Sequence, residues 1–148
     1  MIKDDLNLIG RLDIVVTAED GTVKQRESVK NLVVTAGKGY VASRMKDAST
    51  NVMSHMAIGT GTTAAAVGNT ALVSESARRS LTSTTVNNND VVYVATFPAG
   101  TPNSAAAITE AGIFNASSGG TMLCRTVFSE INKGTSDSLS ITWTVTAS

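Results

Sequence analysis

The sequence has a single cysteine, Cys124, so no intrachain disulfide can form. It has a single histidine, His55, which excludes a zinc site built from three or four Cys and His ligands. Aromatic residues make up only 4%, so any core must be assembled from small aliphatic side chains. Charge of one sign is also missing: 12 Lys and Arg are cancelled by 12 Asp and Glu. There is thus no basic field to hold nucleic acid and no acidic tract to hold a basic partner. The longest apolar run falls far short of the roughly 18 residues that a membrane helix needs. The start, Met1-Ile2-Lys3-Asp4-Asp5, lacks a basic region followed by an apolar run and does not read as a secretory signal.

What the sequence has in quantity is Thr (20), Ala (18), Ser (16), Val (16) and Asn (10). Thr and Val suit a pleated, half-buried surface, while Asn, Ser and Gly suit turns. With 42% apolar residues and no net charge, the chain can collapse, and its 148 residues suit one domain. An all-β fold is expected.

Leu6, Leu8, Leu12, Ile14 and Val16 share one face at period two, with Gly10 as a gap. Glu19-Asp20-Gly21 turns the chain into a far more polar strand, Thr22 to Lys30. Residues 1–30 therefore read as an N-terminal hairpin or arm, lying at a sheet edge or clamped to a neighbouring subunit. Residues 31–148 read as the domain proper. A short helix is expected over about 36–47 with Thr35 as its N-cap, although Gly37 and Gly39 each weaken it by roughly 1 kcal/mol. Strands follow over Val52–Ile58, Leu81–Val86, Val91–Phe97, Ala105–Phe114, Thr121–Phe128 and Ser138–Thr146. Between them, residues 69–79 are given a helical turn in which Glu75 and Arg79 pair at i, i+4. On the last strand Leu139, Ile141, Trp143 and Val145 face inward. About eight strands linked by close turns predict a two-sheet antiparallel sandwich.

Candidate chemistry is sparse. Gly59-Thr60-Gly61-Thr62-Thr63-Ala64 matches a dinucleotide-binding fingerprint, but no strand-helix-strand unit follows, so it reads as a structural loop. His55 stands in an apolar strand with Met53 and Ala57 on its face and no Asp or Ser at a telling distance, which favours a packed or interface role. Cys124, between Leu123 and Arg125, reads as a small core residue. Glu110 interrupts the apolar run Ile108-Thr109-Glu110-Ala111-Gly112-Ile113-Phe114. A buried charge there requires a partner, and Arg78, Arg79 and Arg125 are the candidates. No catalytic residue, cofactor site or metal site is assigned.

Several segments resemble small virion structural proteins of tailed bacteriophages. They are Asn31 to Lys38, His55 to Thr63, Asn69 to Leu72 with Glu75 and Arg78-Arg79, Thr109 to Phe114, Gly119 to Leu123, and the closing Leu139 to Val145. Their order and spacing over about residues 31–146 resemble capsid decoration, or cement, proteins with a jelly-roll sandwich. The resemblance implies a structural, non-enzymatic role on the capsid surface after synthesis in the host cytoplasm. The implied partners are the major capsid protein and further copies of the chain, as a homo-dimer or homo-trimer, with no nucleic acid and no membrane. The alternative is a tail, fibre or baseplate component, such as a receptor- or carbohydrate-binding module. Residues 1–30 fall outside the resemblance.

Overall fold

The computed structural model describes residues 6–46 and 50–148; the first five residues and the expected helix end at residue 47 lie outside this range. Among the described residues there are nine strands and one helix. In chain order they are β1 (Leu8–Thr17), β2 (Val23–Val33), α1 (Thr35–Met45), β3 (His55–Gly59), β4 (Glu75–Ser80), β5 (Ser83–Asn87), β6 (Asp90–Phe97), β7 (Ala106–Phe114), β8 (Met122–Lys133) and β9 (Ser138–Ala147). The fold is all-β and antiparallel, as the Thr- and Val-rich alternation predicts. The strands number nine rather than eight, and they form one curled sheet in the order β4-β3-β7-β8-β2-β1-β9-β6-β5.

The sheet folds over on itself at two places. On one flank β2 pairs with β1 as far as Asn31 opposite Gly10, then switches to β8 at Leu32 opposite Arg125. On the other flank the chain between β4 and β5 makes the same change. Leu81 N–H donates to Ser54, just before β3, whereas Thr82 N–H donates to Val94 in β6. The two halves so formed share a core: Leu12, Ile14, Ile141 and Trp143 from one side meet Ile58, Ile108, Ile113 and Leu123 from the other.

Residues 8–30 form the β1–β2 hairpin, and among the described residues 23–31 pair with β1 alone, so this part of β2 is a sheet edge, as its polarity suggests. β1 lies mid-sheet between β2 and β9, and its Leu12, Ile14 and Val16 are at most 1% exposed. The polar character of β2 agrees with that edge position. Where the sheet splits, Gln25 and Glu27 are only half-buried, and the Gln25 amide donates to the Glu130 carbonyl of β8 across the gap.

The helix begins one residue earlier than the sequence suggests. Val34, not Thr35, takes the N-cap position, without a side-chain cap. Its fully buried side chain packs with Ala57, Leu72, Phe114 and Met122 outside the sheet, and its N–H donates to Leu123. The expected helical turn over residues 69–79 is replaced by a loop and by β4. A register irregularity at Ile58/Gly59 places Glu75 opposite Gly59 and Arg78 opposite Ala57. The extra residue puts Glu75 and Arg78 on one face, where they pair at 2.7 Å, so Arg78 replaces the expected Arg79.

Candidate functional site

The densest polar constellation lies on the outer face of β7 and β8, beneath the loop joining β3 to β4. Its position follows from an irregularity in the ladder of β7 and β8. The register jumps between Ile108, opposite Ile131, and Glu110, opposite Val127. Ile108 and Ala111 both enter the core despite their odd spacing, and Glu110 is turned to the other side. There it stands diagonal to Arg125, the partner of Gly112 in the ladder.

The Glu110 and Arg125 side chains are both 0% exposed. Arg125 donates to Glu110 Oε2 through Nε at 3.1 Å and Nη2 at 2.9 Å. The same carboxylate accepts backbone N–H bonds from Gly61 (3.0 Å), Val73 (3.0 Å) and Ser74 (2.7 Å). Arg125 also donates to Asn69 Oδ1 at 3.0 Å and to the Thr63 carbonyl at 2.9 Å. Thr109 Oγ1 closes the set with a 2.8 Å bond to the Gly61 carbonyl. Burial raises the Glu110 pKa, but the amides of Ser74 and Val73, the Arg125 guanidinium and the Gly61 amide outweigh it. The carboxyl is held below its ordinary 4.5.

This arrangement also explains the glycines that mimic a nucleotide fingerprint. A Cβ on Gly61 would stand 2.6 Å from Glu110 Oε1, and one on Gly59 would stand 2.7 Å from it. The small residues let the backbone close over a carboxylate of the chain itself. Of the three arginines considered for Glu110, the fold selects Arg125. Arg78 is held elsewhere: it pairs with Glu75, donates to the Ala116 and Gly119 carbonyls, and lies 3.8 Å over the Phe114 ring.

His55 is half-buried at the start of β3. Its Nδ1 lies 2.8 Å from Ser54 Oγ and its Nε2 lies 3.4 Å from Ser80 Oγ. With Arg78, Arg79, Ser80 and Ser117 it lines a shallow recess of about 310 Å³, a grouping that sequence spacing does not reveal. Met53 belongs to the main core and Ala57 to the outer cluster, so the two do not share the face expected for them. Cys124 is fully buried, and desolvation pushes its thiol well above the usual range, away from the reactive thiolate. Among the described residues no group of three or more His, Cys, Asp or Glu is placed to hold a metal ion. Among them, too, no helix is long and apolar enough to cross a membrane.

Glu110 and Arg125 thus spend their hydrogen-bonding capacity on the scaffold. No family model, curated protein or solved structure matches the chain. The site is read from its geometry alone, as a lock that ties a 15-residue connection, 60–74, to the sheet. A groove of about 610 Å³ crosses the outer face of β1, β2 and β9, lined by Ile9, Arg11, Asp13, Lys30, Thr144 and Thr146 among others.

Proposed function

We propose that the chain is a virion structural protein, without catalytic activity, that decorates the outside of a bacteriophage capsid and stabilises it. The observation that carries this reading is the Glu110–Arg125 lock: the most buried charged groups stiffen a loop instead of facing a cavity. A shell protein needs a stiff body and outward polar faces, and the Thr- and Ser-bearing sheet surface fits the wet contacts of such assemblies. The major capsid protein is the proposed partner, reached after synthesis in the host cytoplasm, with further copies of the chain as lateral neighbours.

The tail or fibre alternative, read as a sugar-binding module, is less well supported. Sugar recognition favours exposed aromatic platforms, but Trp143 is 0% exposed, Tyr93 is 7% exposed, and the Tyr40 hydroxyl accepts the Met53 N–H. The test is addition of the purified chain to phage particles that lack it, followed by immunogold electron microscopy and heating of the particles. Shell labelling with a raised rupture temperature is expected. Labelling confined to the tail would move the chain to the alternative, and absence from every particle would overturn both.

A further inference from the structure

The two ends of the curled sheet differ sharply. The β4 end carries Glu75, Arg78 and Arg79 and a register irregularity, features that blunt an edge against pairing. The β5 end, Ser83-Thr84-Thr85-Val86-Asn87, has no charge, no proline and no irregularity in its ladder with β6, and all five residues are exposed. Every second residue of such a strand directs its N–H and C=O away from the sheet, so among the described residues β5 offers backbone groups that no neighbouring strand pairs.

A second observation concerns Val86. It stands opposite Val91 and shares the side on which Tyr93 and Ala95 enter the core. Yet Val86 is 71% exposed, on the last strand of the sheet. An apolar residue on the core side of an unprotected edge strand is suited to cover from a further strand.

We propose that β5 is a homodimer interface, in which two copies of the chain pair their β5 strands antiparallel about a two-fold axis at Thr85. The strand suits itself as partner. About Thr85, Thr84 meets Val86 of the second copy and Ser83 meets Asn87. Val86 gains a cross-strand neighbour, and no like charges are brought together. The five strands of this half-sheet become ten in a continuous sheet. A charged partner strand would find no complementary charge on β5, which favours a second copy over an acidic or basic peptide.

This interface deepens the proposed self-association, and it is tested on the isolated chain, so its failure is separable from failure to bind capsids. Analytical ultracentrifugation from micromolar to millimolar concentration reads the mass against the 15.3 kDa monomer. The native chain is expected to reach twice that mass. Thr85→Lys and Thr85→Glu are each expected to abolish the dimer, because each sets like charges opposite one another at the axis. Mixing the two variants is expected to restore it as a heterodimer. Buried Trp143 emission checks that these surface variants remain folded. Hydrogen exchange on the native chain gives a second measurement, with β5 amides expected to slow as concentration rises. A native chain that stays monomeric with concentration-independent exchange overturns the interface. So does a dimer that survives either charged variant, or a mixture of folded variants that stays monomeric.

Discussion

Trp143 shows how one residue's need is met by two others. Its ring is fully buried, and its indole N–H donates to Asn31 Oδ1 at 2.9 Å. Asn31 lies opposite Gly10 in the ladder, and a Cβ on Gly10 would overlap its amide oxygen. The gap that Gly10 leaves in the apolar face of β1 is therefore the space that the Asn31 amide occupies. The inward phase of Trp143 was legible from the alternation over residues 138–146; its partner was not, because Asn31 is 112 residues away. Glu110 follows the same pattern. A carboxylate inside an apolar run signals a buried partner, but three arginines qualified, and only the register of β7 against β8 selects Arg125. Glu110→Gln should destabilise the fold by about 3–5 kcal/mol, because it leaves the Arg125 charge buried without its counter-charge. Urea unfolding measures this. The pH dependence has a definite sign. The folded-state pKa of Glu110 lies below its ordinary 4.5, so its contribution is complete above that value and is lost as pH falls through the folded-state pKa. Asp137, lowered by its bond with Lys24, adds a loss of the same sign. The Glu110→Gln chain should show a shallower acid slope as pH falls below 4.5. An unchanged slope would mean that the lock contributes no proton linkage.

Among the elements, α1 separates two glycines that composition treats alike. A Cβ on Gly37 would overlap the Leu123 carbonyl, so this glycine allows the helix to rest directly on the β8 backbone. Gly39 has nothing within 4 Å of its would-be Cβ. Gly39→Ala should raise stability by about 0.5–1 kcal/mol through helix propensity and a less flexible unfolded chain. Gly37→Ala should lower stability by about 1–3 kcal/mol, the usual range for forcing atoms into a packed contact. Thermal melts of the two variants, shifted in opposite directions, check the distinction. The strand hairpins were legible because Asn-rich and Gly-rich turns separate runs of β-formers, as at Asn87 to Asp90. β4 was not, because Glu75 to Ser80 carries no apolar alternation. Its strand form depends on pairing with β3, a tertiary contact that outweighs local preference.

At the scale of the whole molecule, the sheet closes because β2 belongs to both halves. The polar sequence of β2 suggested an edge or a subunit clamp, and its stretch 23–31 is an edge among the described residues, paired with β1 alone where β2 has left β8 and the two halves part. Pairing across that split is carried in part by side chains: the Lys24 ammonium lies 2.6 Å from Asp137 and Thr126 Oγ1 donates to the Lys30 carbonyl. A chain lacking residues 1–30 tests whether the hairpin belongs to the domain. The deletion takes away Leu12, Ile14 and Val16 from the core and uncovers one flank of β9, including the stretch that bears Leu139, Ile141 and Trp143. Three buried aliphatic side chains at about 1.5–3 kcal/mol each amount to roughly 5–9 kcal/mol, which rivals the 5–15 kcal/mol stability of a typical domain. The lost backbone ladder adds to this. The truncated chain is therefore expected to be unfolded, with Trp143 emission shifted to the wavelength of a water-exposed indole and no cooperative urea transition. A truncated chain that keeps blue-shifted emission and unfolds cooperatively would show that residues 31–148 hold together alone and would restore the hairpin to the role of an arm.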